Sequence, residues 1–174
     1  MKSIEFFFYK DLNVFLNQER LDLIQVFLAF EQEVILNIDN LNILCADMTV
    51  GKLPISNKIL IDVPCSGTGV INRRVDIKWR RTQEEIDLVR KVQYRIIENV
   101  SKYLKKDGIL VYSTCSIEPE ENELLIEEFL KKHKFVVEDA SDFVNKDIVK
   151  KGAINNLPGE FGMDGGYAVR LRKL

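Results

Sequence analysis

The stretch Lys58-Ile59-Leu60-Ile61-Asp62-Val63-Pro64-Cys65-Ser66-Gly67-Thr68-Gly69 runs from apolar residues into a carboxylate and then a loop of proline, glycine and small polar residues. An apolar run bounded in this way reads as a buried strand ending at Asp62. The same order recurs downstream, where Asp107-Gly108 makes a turn into Ile109-Leu110-Val111-Tyr112-Ser113, followed by Thr114-Cys115-Ser116. Between the two, Ile86, Val89, Val92, Ile96, Ile97, Val100 and Leu104 follow helical spacing. Thr82, with Glu85 three residues on, supplies the start signal, so a helix is expected over 82–104. Working outward, 4–9 and Val14-Phe15-Leu16 are β-prone, 18–34 has helical spacing, and Ile43-Leu44-Cys45-Ala46 reads as a short strand ending at Asp47. A helix is expected over 119–132, a strand at Phe135-Val136-Val137, and irregular chain over 139–160. Gly165-Gly166 then turns into the strand Tyr167-Ala168-Val169-Arg170-Leu171. Strands alternating with helices imply an α/β fold, a mostly parallel sheet with helices on both faces.

Composition agrees with one soluble domain over residues 1–174, with 46% hydrophobic and 30% charged residues. Three cysteines, Cys45, Cys65 and Cys115, are too few for a secreted disulfide framework. The single histidine, His133, excludes a histidine-rich zinc site, and between lysines at a helix end it reads as a surface residue; no metal is expected. The run Phe6-Phe7-Phe8-Tyr9 is too short for an export signal, and no stretch approaches the roughly 18 apolar residues of a membrane span. A reduced, cytoplasmic setting away from membranes is expected.

Charge is unevenly spread. Residues 70–112 carry 11 basic and 6 acidic groups, although the whole chain is at −2. The basic groups are densest at Arg73, Arg74, Lys78, Arg80 and Arg81. Such a patch suits nucleic-acid phosphate, and it equally suits a solvated surface with ordinary ion pairs.

In open α/β sheets ligands sit beyond the carboxyl ends of the strands. Asp47, Asp62 with Cys65, and Ser113 with Cys115 would share that rim. Free cysteines are commonly small buried hydrophobes. Here both follow strands into small polar loops, where a partly exposed thiol can become a reactive thiolate. A phosphatase-type loop needs an arginine close after the cysteine, and the nearest is Arg73. No Cys-x-x-Cys is present, and Gly67-Thr68-Gly69-Val70-Ile71-Asn72 lacks the third glycine of a dinucleotide fingerprint.

From residue 41 onward the chain resembles the RsmB/Sun-type RNA (cytosine-5) methyltransferase family. The resemblance is carried by Ile61-Asp62-Val63-Pro64-Cys65-Ser66-Gly67-Thr68-Gly69, Asp76-Ile77-Lys78-Trp79, Tyr112-Ser113-Thr114-Cys115-Ser116 with Pro119-Glu120-Glu121-Asn122, and Asp164-Gly165-Gly166-Tyr167-Ala168. It implies a Rossmann-like methyltransferase fold, S-adenosylmethionine as cofactor and RNA, expected to be ribosomal RNA, as substrate. By the same resemblance Cys115 is the nucleophile that adds to cytosine, and Cys65 assists proton removal and product release. Asp62 bonds the cytosine edge and lies near the cofactor, while Asp47 faces its adenine end. Some of Arg73, Arg74, Lys78, Arg80 and Arg81 would contact RNA, unless Lys78-Trp79 packs to position the loop. The acidic residues Glu118, Glu120, Glu121, Glu123, Glu127 and Glu128 read mostly as helix-dipole partners.

Departures from the pattern are also expected to matter. Val75 stands where the family usually has proline, Gly166 where it has phenylalanine, and Phe15 where an acidic residue holds the cofactor ribose. The first glycine is Gly51, so the glycine-rich cofactor turn and the sheet's usual first strand are missing, as from an amino-terminally truncated domain. Residues 4–9 or 12–16 are candidates to fill the gap. The alternatives are an inactive remnant or RNA-binding module, and a split enzyme whose second chain supplies the missing loop.

Overall fold

The structure, a computed structural model, describes the backbone of residues 4–9 and 12–17 and the whole of residues 47–174. The helix expected over 18–34 and the strand expected at 43–46 lie outside the described residues. Strands β1 (Ile4–Tyr9), β2 (Leu12–Asn17) and β3 (Ser56–Asp62) precede a single-turn helix α1 (Ile77–Arg80) and a long helix α2 (Gln83–Ser101). Then come β4 (Leu104–Thr114), α3 (Glu123–Lys132), β5 (Phe135–Glu138), β6 (Val149–Lys150), β7 (Ala153–Asn156) and β8 (Gly166–Lys173). The sheet runs β1-β2-β3-β4-β8-β7-β6, and β5 also pairs with β8.

The α/β architecture is as expected, but among the described residues the sheet is mixed rather than mostly parallel. β2 and β4 flank β3 in parallel, whereas β8 is antiparallel to β4, β5 and β7. Parallel neighbours need a long crossover, which α2 provides between β3 and β4. β7 and β8 are joined by the loop 157–165 with no crossover helix or strand between them, and pair antiparallel. β2 lies in register with β3 from Asn13↔Ile59 to Leu16↔Asp62, so residues 12–17 occupy the place beside β3.

Cross-strand rows explain the core. Ile59, Leu110 and Leu171 are paired neighbours, as are Ile61, Tyr112 and Val169, and all six are fully buried on one face. Ile96, Ile97 and Val100 of α2 and Leu125, Ile126 and Phe129 of α3 pack against that face. Helical cover of the opposite face, if from 18–34, falls outside the described residues.

Three boundaries differ from the sequence reading. Helix α2 begins as expected, with Thr82 and Glu85 forming a reciprocal capping box, but it ends at Ser101 because Leu104 already belongs to β4. Asp107-Gly108 is a bulge within β4 rather than a turn before it; Ser56 pairs with Leu104, and Lys58 pairs with Ile109. Asp107 takes the left-handed conformation there (φ 61°), one that aspartate tolerates. Helix α3 starts at Glu123, four residues late, because Glu121 and Asn122 are committed to the loops described below. Two further details also depart. Residues 139–160 contain β6 and β7, and His133 is half-buried with its ring stacked on Phe129 at 4.4 Å. No helix among the described residues is long and apolar enough to cross a membrane.

Candidate active site

Two neighbouring parallel strands deliver the candidate residues to one rim. Asp62 pairs with Ser113 at the ends of β3 and β4, where the Ser113 hydroxyl donates to Asp62 Oδ1 at 3.0 Å. Crowding at this strand end desolvates the Asp62 carboxyl and raises its pKa, against the opposing effect of the Ser113 bond. Beyond them the two loops bring Cys65 and Cys115 together, with their sulfur atoms 2.9 Å apart. Cys115 is exposed and Cys65 half-buried; both are free thiols.

The two sulfurs are electrically unequal. Hydrogen bonding from the Cys65 S–H lowers the pKa of Cys115 and favours its thiolate. Cys65 is pushed the other way by that same bond, by burial, and by the negative charges of Cys115 and Glu121. Of the two sulfurs, Cys115 is therefore the one that gives up its proton more readily.

Glycine and buried polar groups hold the loops at this distance. Gly67 opens the Thr68–Val70 turn with a left-handed φ of 76°. Gly69 is wedged between the two other loops: its N–H donates to Cys115 O at 2.9 Å, and its carbonyl accepts from Gly165 N at 2.8 Å. A Cβ there would lie 2.2 Å from Gly165 O and 2.7 Å from Cys115 O, so only glycine fits. Gly165 thus serves close packing against this loop rather than a tight turn. Asn122 Oδ1 accepts from the Thr114 hydroxyl at 2.7 Å, and its Nδ2 donates to Ser116 O at 2.9 Å.

Glu121 is the functional residue that sequence reading missed. It is fully buried, and its carboxylate accepts from Ser66 N at 2.9 Å, Gln93 Nε2 at 2.7 Å and the Ser116 hydroxyl at 2.7 Å, as well as from the Ser66 hydroxyl. Reading Glu121 as a helix-dipole partner is corrected by this placement, since it precedes α3 and points inward. The available signal was Asn122, a good N-cap type, which would have set Glu121 outside the helix.

A cavity of about 550 Å³ opens onto both sulfurs and is lined in part by Arg73, Arg74, Arg80 and Arg81. The structure separates these cations. Arg81 Nε donates to Ser66 O at 2.8 Å, so it braces the loop; Arg73 pairs with Asp164, and Arg80 with Asp76 at 3.2 Å. Arg74 and Lys78 have no ion-pair partner among the described residues. Lys78 does not line the cavity; its ammonium lies 5.3 Å from the Trp79 ring centre. Trp79 is 80% exposed, which overturns the reading that it packs to position the loop. Asp47 stands apart from the cysteines, accepting from Thr49 N at 2.9 Å and the Thr49 hydroxyl at 2.8 Å.

The chain is similar to known methyltransferases. Ribosomal RNA small subunit methyltransferase B of Photorhabdus laumondii is 42% identical over 120 residues, covering 67% of this chain and 26% of that protein. The Yersinia enterocolitica protein of the same name is 43% identical over 117 residues, with the same shares. The chain thus spans about a quarter of the length of these curated relatives. Among solved structures, the methyltransferase homolog protein from Pyrococcus horikoshii superposes with a TM-score of 0.69 at 28% identity, over 88% of this chain and 51% of that one. NSun6 from Pyrococcus horikoshii, crystallised with SFG, gives 0.72 at 25% identity, over 92% and 41%. The family model described as 16S rRNA methyltransferase RsmB/F matches residues 14–172, nearly the whole chain, and the chain belongs to that family.

Proposed function

We propose that the chain methylates carbon 5 of a cytosine in RNA, with ribosomal RNA as the expected substrate, through a covalent bond between Cys115 and carbon 6 of the base. The supporting observation is the pair of unlike sulfurs 2.9 Å apart, one exposed and tending to thiolate, the other half-buried and tending to thiol.

Carbon 5 of cytosine is a weak nucleophile until a thiolate adds to carbon 6. Cys115 Sγ forms that bond, and the electron pair of the C5–C6 double bond moves onto carbon 5, delocalised toward N3 of the base. Asp62, whose carboxyl pKa is pushed upward by desolvation, stands at the end of β3 to hydrogen-bond the cytosine edge. S-adenosylmethionine, when bound, supplies the methyl group that carbon 5 takes up. Once Cys115 is bonded to carbon, its charge no longer faces Cys65, and the Cys65 proton can pass to solvent. The Cys65 thiolate then takes the proton from carbon 5, the C5–C6 double bond re-forms, and Cys115 leaves as thiolate. One proton is released per methyl group transferred, and the starting pair is restored.

The carboxylates proposed to hold the cofactor are Asp62, at the end of β3, and Asp47. A glycine-rich cradle is not among residues 1–50, whose successor Gly51 is the first glycine of the sequence. Methylation by the chain alone requires a cofactor wall built without glycine, and a second chain bearing the loop is the alternative source. The direct test is to incubate the folded chain with methyl-labelled cofactor and a small-subunit ribosomal RNA transcript, then digest the RNA and analyse its nucleosides by mass spectrometry. Labelled 5-methylcytidine is expected. RNA binding without methylation would favour an RNA-binding module that needs a partner loop.

Arg74, Lys78 and exposed Trp79 are proposed to engage the RNA strand beside the target base, which must leave its stack to reach the sulfurs. Neutralising Arg74 and Lys78 to glutamine is expected to flatten the slope of log affinity against log salt by about 1.4, or roughly 0.7 per lost contact on a single strand. Trp79→Ala removes no charge and should weaken binding with little change in slope. Filter binding from low to moderate salt measures both; an unchanged slope in the double variant removes the patch from the interface.

A further inference from the structure

We propose that Glu121 is a positioning residue of this site: its single buried carboxylate ties the residue after Cys65 to the residue after Cys115, keeping the two sulfurs in contact and setting its charge beside the Cys65 loop. The inference rests on the cysteine chemistry proposed above and concerns a residue that touches neither RNA nor cofactor.

Each cysteine is followed by a serine, and both serines end on the same carboxylate. Ser66 contributes its N–H at 2.9 Å and its hydroxyl, and Ser116 its hydroxyl at 2.7 Å. The serine hydroxyls also meet each other at 3.0 Å. Gln93, fully buried on α2, divides its Nε2 between Glu121 at 2.7 Å and Pro64 O at 2.8 Å, so the helix grips the Cys65 loop through the same group. Tyr112 then fixes the Glu121 backbone, donating from its hydroxyl to Glu121 O at 2.7 Å. Glu121 has no ion-pair partner among the described residues. Its negative charge opposes formation of a second one on Cys65.

The other charged or titratable groups around the sulfurs are Asp62 from β3, Tyr112 from β4, Arg81 just before α2, Glu85 from its first turn, and Arg73, Arg74, Asp76 and Arg80 around the cavity. None of these bonds to both cysteine loops. Arg81 reaches only Ser66 O, and Asp62 only the Ser113 side. The Thr68 hydroxyl also meets the Ser66 and Ser116 hydroxyls, at 3.4 and 3.2 Å, but Glu121 is the charged group among the described residues that is anchored to both.

Glutamine at position 121 separates charge from shape. Its Oε1 can accept from Ser66 N–H and the Gln93 amide, while its Nε2 donates to the two serine oxygens, whose hydroxyls rotate freely. Glu121→Gln should therefore fold, with a melting temperature close to that of the parent chain. The readout is pulsed iodoacetamide labelling across pH, resolved by peptide mass for Cys65 and Cys115 separately; it needs neither RNA nor cofactor. In the parent chain Cys115 should label with a midpoint below the usual thiol range and Cys65 far above it. In Glu121→Gln the Cys65 midpoint is expected to fall by about one pH unit or more. An unchanged Cys65 midpoint in the folded variant overturns the electrostatic half of the proposal.

Ser116→Ala tests the tie itself. It keeps the carboxylate and cuts its bond to the residue after Cys115, so Cys115 labelling at neutral pH should slow about three- to ten-fold as Cys65 loses register. No slowing overturns the positioning half, and this variant also decides the matter if Glu121→Gln does not fold. Failure of the methyltransferase reading would look different: no 5-methylcytidine from the parent chain, with the unequal labelling of the cysteines intact.

Discussion

Cys115→Ala is expected to abolish methyl transfer, lowering turnover by about four orders of magnitude or more, roughly 5 kcal/mol of barrier. The size of the loss follows from the chemistry. Without a sulfur to add at carbon 6, carbon 5 keeps its aromatic character, and no proton transfer elsewhere in the site compensates. Cys65 does not stand in, because its sulfur is half-buried whereas that of Cys115 is exposed. Fold and RNA binding should survive, since the Cys115 side chain is exposed and surface truncations usually change stability by less than about 0.5 kcal/mol. The assay is 5-methylcytidine formation beside melting temperature and RNA affinity. Full activity in a folded Cys115→Ala chain removes the nucleophile assignment. The parent's pH profile gives an independent check. A lowered Cys115 pKa leaves the thiolate populated below the usual thiol range, so the acid limb of the rate should fall there rather than near pH 8.5.

Much of this site could be read before the structure because strand ends mark themselves. The apolar run into Asp62 and the run into Ser113 each state where a strand stops, and in a parallel pair equal endpoints bring the following loops together. The Thr82–Glu85 capping box is equally local, and it appears where the sequence placed it. Strand order is different, because apolar patterning reports which face is buried and not which neighbour buries it. The expectation of a mostly parallel sheet therefore missed the reversal at β8. Glu121 was hidden for a related reason. An acidic residue near a helix start has a common local explanation, and only the tertiary positions of Ser66, Gln93 and Ser116 reveal its use. The basic cluster was legible as a group but not residue by residue. Arg81, Arg73 and Arg80 already have partners within the protein, which is why Arg74 and Lys78 are the ones proposed to meet RNA.

Cys65→Ala should behave unlike Cys115→Ala, accumulating a protein–RNA adduct that survives denaturation in detergent. Two effects compete. Removing the Cys65 S–H takes a hydrogen bond from the Cys115 thiolate and raises the Cys115 pKa. A rise of about one unit would slow adduct formation near neutral pH by at most tenfold. The same change removes the group that takes the proton from carbon 5, and loss of a positioned base costs about 10²- to 10⁴-fold. Resolution is thus slowed more than formation, and the covalent species builds up when RNA and S-adenosylmethionine are both present. The measurement is a denaturing gel with end-labelled RNA: a slow band for Cys65→Ala, sensitive to nuclease and to protease, and none for the parent chain. The double variant lacking both sulfurs should show no band, which separates a bond to Cys115 from trapping by any other group. Release of 5-methylcytidine by Cys65→Ala at the parent rate, with no slow band, would take the proton-transfer role away from Cys65 and leave it only the tuning of Cys115.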